Sequence, residues 1–374
     1  MDEREARMAL CCVVEPGNPA ATEAVAAHGP AAVLAGLRSR ASRSRWARRA
    51  QALDLEAVRR AAKRNRLRFV IPGDDEWPTA LDDLATGEPV QEMGGLPFGL
   101  WVKGEANLAE VSARAVAIVG SRAATAYGQS VASDLAAGLG QHGISVVSGG
   151  AYGIDAAAHS GALATTAPTV AVMAGGLDNP YPPGNAALLQ RVAGQGLLVS
   201  ELPPGEHPTR ARFLARNRVI ATLGPATIIV EAAWRSGARN SVSWANACGR
   251  MVLAVPGPVH SATSVTPHRL IRDAEAVLCT GVSDVLELVG PLGRPPVVRP
   301  DQYRPLDELD ADELAVYEAI PARGEIDTGE VSLRAGLALG GCLAILDRIA
   351  ERGLIEHGIE GWRLGRRAVT PAGD

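Results

Sequence analysis

The chain has 374 residues, 47% of them apolar, and a formal net charge of −4. That length holds two or three domains with packed cores, and that charge excludes a uniformly basic nucleic-acid coat while leaving room for a local basic patch. Arginine supplies almost all the positive charge. The only lysines are Lys63 and Lys103, and neither sits in a Gly-Lys-Ser/Thr context, so a Walker A phosphate loop is excluded.

The acidic start, with its short apolar run, is not a secretory signal, and no run approaches the roughly 20 apolar residues of a membrane span. Cys11, Cys12, Cys248, Cys279 and Cys342 include no CxxC pair, which fits reduced thiols better than a disulfide frame or a zinc site. A soluble cytoplasmic protein is expected.

Residues 1–68 read as a small helical unit, dense in alanine. From Arg38 to Arg68 it carries twelve basic residues against Asp54 and Glu56. This is the solvated face of a helical domain or an electrostatic footprint for a polyanion. Residues 69–110 are rich in turns and read as a connector packed on the next domain. In residues 111–290 apolar runs alternate with helical patterns. Candidate strands cover 116–119, 144–147, 169–173, 196–199, 227–230, 251–255 and 276–278. Continuous apolar strands of this kind, separated by crossover-length helices, predict an α/β fold, a doubly wound parallel sheet covered on both faces. Residues 291–306 form a proline-stiffened linker. Residues 307–367 predict three short helices at 312–320, 330–335 and 343–352. A hairpin turning at Gly358 to Gly361 follows, which together fits a winged helix. The tail, 366–374, reads as disordered.

The Gly-x-Gly-x-x-Gly at Gly138, Gly140 and Gly143 closes a helix and precedes a strand. It is therefore a helix stop rather than a dinucleotide fingerprint. The phosphate-suited turns lie elsewhere. Gly120, Ser121 and Arg122 follow the first strand of the sheet. There a hydroxyl, bare amides and a guanidinium fork can hold an anion. Ser148, Gly149, Gly150, Tyr152 and Gly153 follow the second, and Tyr152 can stack on a base. Gly175, Gly176 and Asn179 follow the third. Ser236 and Gly237 mark a fourth such edge, and the four together predict a shared anion-binding rim. Beside it, Phe213, Val219 and Ile220 can face the core, whereas Arg216, Asn217 and Arg218 cannot all do so. With Arg210 and Arg212 they predict a positive surface; a salt-bridge network to Glu201 or Glu231 is the alternative. His159 reads as a packed residue. Hydrolytic motifs and metal-ligand spacings are missing, so no catalytic residue, metal or cofactor is expected.

Taken together, VAIVGSR with Tyr127-Gly128, SGGAYGIDAAAH with GAL, AGGLDNPYPPGN, LLVSELPPG, FLARNRVIATL, Glu231 to Ser236-Gly237 and GRMVLAVPG resemble the DNA-processing protein A (DprA/Smf) family. The resemblance implies an extended Rossmann-like core that forms a homodimer. It also implies a sterile-alpha-motif-like N-terminal unit and a winged-helix-like C-terminal domain. Its functional implication is a protein, not an enzyme, that binds single-stranded DNA without marked sequence preference. Such a protein loads a RecA-type recombinase in natural transformation. By this resemblance Gly120, Ser121, Arg122, Phe213, Arg216, Asn217 and Arg218 contribute to the DNA pocket. The alternative is a phosphoribohydrolase acting on a nucleoside monophosphate, for which Glu231 would be the edge glutamate, although that group's PGGxGTxxE signature is missing.

Overall fold

The computed structural model describes residues 2–39, 42, 44–234, 236–290 and 305–365. Nine strands form one sheet. They are β1 (Arg68–Val70), β2 (Leu100–Lys103), β3 (Ala115–Val119), β4 (Ser145–Ser148), β5 (Thr169–Val172), β6 (Leu197–Ser200), β7 (Ala226–Ile229), β8 (Met251–Ala254) and β9 (Val277–Leu278). All seven apolar runs anticipated from the sequence are strands. Every residue of β3 to β7 is buried, as helices on both faces require. The spatial order is β1-β2-β6-β5-β4-β3-β7-β8-β9, parallel from β6 to β9. The turn-rich segment from 69 to 110, anticipated as an irregular connector, instead delivers β2 as an antiparallel partner of β6, with Trp101 opposite Ser200. β1 then pairs antiparallel with β2.

Five helices precede the sheet: α1 (Glu3–Val13), α2 (Pro19–His28), α3 (Pro30–Arg38), α4 (Arg45–Ala52) and α5 (Leu55–Arg64). They share one apolar core with the β2–β6 end of the sheet, where Leu10, Val13 and Leu34 join Trp101, Leu189 and Leu198. Eight helices are interleaved with the strands. They are α6 (Leu108–Ala113), α7 (Ala126–Gln141), α8 (Ile154–Ala162), α9 (Ala186–Gln195), α10 (Arg210–Thr222), α11 (Ala238–Ala247), α12 (Val265–Arg272) and α13 (Val282–Val289).

The chain divides into two compact units with the boundary between Arg294 and Pro295. The second unit contains α14 (Ala311–Ala319), α15 (Thr328–Ala335), α16 (Leu339–Glu351) and an antiparallel hairpin, β10 (Ile355–His357) with β11 (Trp362–Leu364). These are the three helices and hairpin anticipated from the sequence, closed around Val316, Val331, Leu346 and Trp362. Asp310 and Glu313 form a reciprocal capping box that fixes the start of α14. Most of the anticipated linker (291–304) and the tail (366–374) lie outside the described residues. Among the described residues no single helix is long and apolar enough to cross a membrane.

Candidate nucleic-acid interface

The strand order reverses at β3. On one side of it follow β4, β5 and β6; on the other follow β7, β8 and β9. Open α/β sheets bind ligands outside the carboxyl ends of the strands at such a reversal. A cleft of about 1050 Å³ opens there. Its walls are the turn after β3, the start of α10 and the loop from Ala233 into α11.

The turn after β3 is held rigidly from below. The Ser121 amide donates to the Glu231 carbonyl at 2.7 Å. The Glu231 carboxylate accepts from the Thr125 amide at 2.9 Å, the Thr125 hydroxyl at 2.7 Å and the Thr263 hydroxyl at 3.0 Å. Glu231 is buried, so its charge positions this loop and does not face the cleft. Arg122 is exposed on the turn and has no carboxylate partner among the described residues. Its guanidinium carbon lies 4.5 Å from the centroid of the Phe213 ring. The amides of Arg122 and Ala123 make no hydrogen bond among the described residues. The Ser121 hydroxyl, by contrast, donates to the Ala123 carbonyl at 3.1 Å, so its proton serves the turn itself.

Helix α10 corrects the sequence expectation. Arg216, Asn217 and Arg218 are all buried, and so is Arg212. Each has a partner contributed by a remote segment. Arg218 pairs with Glu201 at 2.5 Å, with only 1% of its side chain exposed. Arg212 grips Glu15 through two nitrogens at 2.8 and 3.0 Å and pairs with Glu206 at 2.6 Å, which ties the helical N-terminal region to α10. Asn217 donates to Asn240 at 3.1 Å. The salt-bridge alternative therefore holds for Arg218 with Glu201, while Arg212 is paired with Glu15 and Glu206, which it did not name; both are removed from the anticipated positive surface.

Arg216 is also buried, but it borders the cleft. It donates to the Gly149 carbonyl at 2.7 Å and to the Val172 carbonyl, and so braces the ends of β4 and β5. Asp155 accepts from the Gly149 and Ala151 amides at 3.1 and 3.3 Å. Any side chain at 149 would overlap both Arg216 and Asp155, which explains the glycine there. Gly153, at φ +74°, admits the carbonyls of Ser121 and Arg122 where a side chain would stand. Burial pushes the Asp155 carboxyl up, against the opposing pull of the Arg216 charge. Burial pushes Arg216 down to about 10; Asp155 opposes that shift and the like charge of Arg122 adds to it.

The anticipated rim is only partly shared. Gly120, Ser121, Arg122, Phe213, Arg216, Asn217, Ser236 and Gly237 line the cleft. Ser148 is buried and donates to the Ile118 carbonyl at 2.6 Å, while Gly149 and Gly150 lie buried beneath the rim. Tyr152 and Asn179 are exposed but outside the cleft lining, and the Tyr152 hydroxyl accepts from the Gly184 amide at 3.3 Å. His159 is packed as expected. It is fully buried with Nδ1 2.8 Å from the Thr169 hydroxyl, and burial pushes its pKa down to about 3. Tyr181, which the sequence places on the third edge with Asn179, does line the cleft, its ring centroid 6.0 Å from that of Phe213, and sequence reasoning did not single out the lining residues Trp234 and Arg239. Among the described residues the lining holds four arginines, at 122, 210, 216 and 239, against the single carboxylate of Asp155.

The chain resembles proteins whose names match this picture. Residues 68–290 match the family model for DNA recombination-mediator protein A. A putative DNA processing protein DprA from Mycobacterium tuberculosis is 46% identical over 324 residues, covering 85% of this chain and 81% of that protein. The crystal structure of DNA processing protein A from Streptococcus pneumoniae superposes with a TM-score of 0.63 at 29% identity, covering 77% of this chain and 98% of the other. A structure of DNA processing protein A from Helicobacter pylori, reported for its single-stranded DNA binding mode, gives a TM-score of 0.51 at 26% identity, covering 59% and 95%. By the match over more than half its length and by the M. tuberculosis relative, the chain belongs to the DNA recombination-mediator protein A family.

Proposed function

We propose that the protein binds single-stranded DNA in the cleft at the β3–β7 reversal, and does so without reading sequence. The observation that carries this is the pair Arg122 and Arg216. Their guanidinium carbons lie 4.5 and 5.8 Å from the ring centroid of one half-buried aromatic, Phe213, and among the described residues of the lining Asp155, buried, is the only carboxylate to balance them. Two like charges under-compensated at the mouth of a cleft attract an anion, and the amides of Arg122 and Ala123, which have no partner among the described residues, add donors suited to phosphate oxygens. Phe213 and Tyr181 offer ring surface that every base can contact, which favours an unpaired strand over a duplex. Asn217, Ser236 and Gly237 line the same path. The H. pylori relative described by its single-stranded DNA binding supports this reading.

On this reading the protein acts by binding and not by catalysis. It shields single strands and hands them to a RecA-type recombinase in natural transformation or related DNA processing in the cytoplasm, as a homodimer through the sheet domain. Titration of labelled oligonucleotides by fluorescence anisotropy tests the binding step. Single strands are expected to bind more tightly than duplex, with affinity falling steeply as salt rises. Arg122→Ala should weaken binding about tenfold for every sequence alike, the scale of one lost charge-assisted contact. Preference for duplex, or unchanged binding by Arg122→Ala, contradicts the proposal.

A further inference from the structure

The cleft contains a large aromatic side chain that is mostly exposed. Trp234 is 61% exposed, and it lines the cleft at the start of the loop that follows β7. Four of the other five tryptophans (Trp77, Trp101, Trp244 and Trp362) are buried, and Trp46 is half-buried. The Trp234 ring does not hang free. The Arg269 guanidinium carbon stands 4.6 Å from its centroid, and Asp273 holds that guanidinium from α12 at 3.1 Å. An indole with a fixed cation over one face is oriented, and at this exposure it keeps apolar surface turned to solvent.

We infer that Trp234, steadied by Arg269, is a base-stacking platform of the cleft, taking one unpaired nucleobase on its open surface. This rests on the reading of the cleft as a single-strand site and adds a division of labour to it. Arg122 and Arg216 attract the phosphates, and Trp234 holds a base. Stacking on an aromatic is indifferent to base identity, because every base has a π-face. A pre-oriented ring loses little conformational freedom when the base arrives.

The test compares two ligands of about a dozen nucleotides, within the span of such sites. One is an oligo-dT strand; the other is a base-free strand with the same deoxyribose-phosphate backbone. For Trp234→Ala in the full chain, affinity for oligo-dT should fall about tenfold, which is about 1.4 kcal/mol, and affinity for the base-free strand should stay as it was. Trp234→Phe should recover most of the loss, and oligo-dT should quench tryptophan emission in the parent protein but not in Trp234→Phe. Arg122→Ala should weaken both ligands equally. Wild-type affinity of Trp234→Ala for oligo-dT overturns the platform, as does an equal loss on both ligands, and either result leaves the single-strand reading standing. Failure of the parent protein to bind either ligand removes both.

Discussion

Arg122 and Arg218 belong to one corner of the molecule and carry the same charge, but they do opposite things. Arg122 stands on a turn whose backbone is fixed by Glu231, has no carboxylate partner among the described residues, and has its guanidinium carbon 4.5 Å from the Phe213 centroid. Arg218, on α10, is buried with its guanidinium on Glu201, and Arg212 is similarly occupied by Glu15 and Glu206. Arg218 is withheld from a ligand chiefly by burial, with Glu201 on one of its nitrogens, whereas Arg122 is exposed. The difference therefore lies in burial and partners and not in the motif. The most forceful way to break the comparison is Arg218→Met. It leaves Glu201 buried without a partner, and urea denaturation should show a loss of about 3–5 kcal/mol. The joint Arg218→Met, Glu201→Met variant should regain most of that loss, since an apolar pair can replace a buried ion pair. Unaltered stability of the single variant would mean the pair contributes nothing to the fold.

A second test acts beneath Arg216. His159 is buried and neutral, with a folded pKa of about 3 against an ordinary value of 6.5, chiefly through burial and then through the Arg216 charge. Between those values the unfolded chain takes a proton that the folded chain refuses, so stability falls as pH falls. Acidification from about pH 7.5 to about pH 5 should remove about 2 kcal/mol through this residue. His159→Gln should flatten that slope; an unchanged slope in the variant would place the pH sensitivity elsewhere.

These contrasts mark where sequence reading succeeds. The strands β3 to β8 are legible because each is a largely apolar run, and burial on both faces needs only residue type and length; β9, with both residues exposed, is legible from its apolar run alone. The strands β1 and β2 are not, because they are three- and four-residue segments in a turn-rich stretch, β2 gaining its pairing from β6, about a hundred residues further on, and β1 its pairing from β2. Gly120 and Arg122 were found because a glycine turn after a strand is a local signal. The Arg218–Glu201 pair was legible only as one alternative, and the burial of Arg216 was not, because its partners are the carbonyls of Gly149 and Val172, which no local pattern brings together. Trp234 carries no periodicity at all; its exposure became visible only once the loop after β7 was placed in the cleft.

The smallest expected effect is the one that separates charge from shape at Arg122. Lysine at this position keeps one positive charge, so the dependence of affinity on salt should keep its slope, whereas Arg122→Ala should lower the slope by about 0.7 for one lost phosphate contact. Lysine cannot reproduce the planar group that lies 4.5 Å from Phe213 and presents paired donors. Losing that contact should cost about 0.5–1 kcal/mol in single-strand affinity at any fixed salt. Parallel salt titrations of the two variants decide the matter. If Arg122→Lys binds like the parent protein, Arg122 acts as a point charge and Phe213 merely packs against its stem. If it binds like Arg122→Ala but with the parent slope, the planar guanidinium on the ring is the recognition element, and the comparison with Arg218 is one of partner geometry as well as of charge.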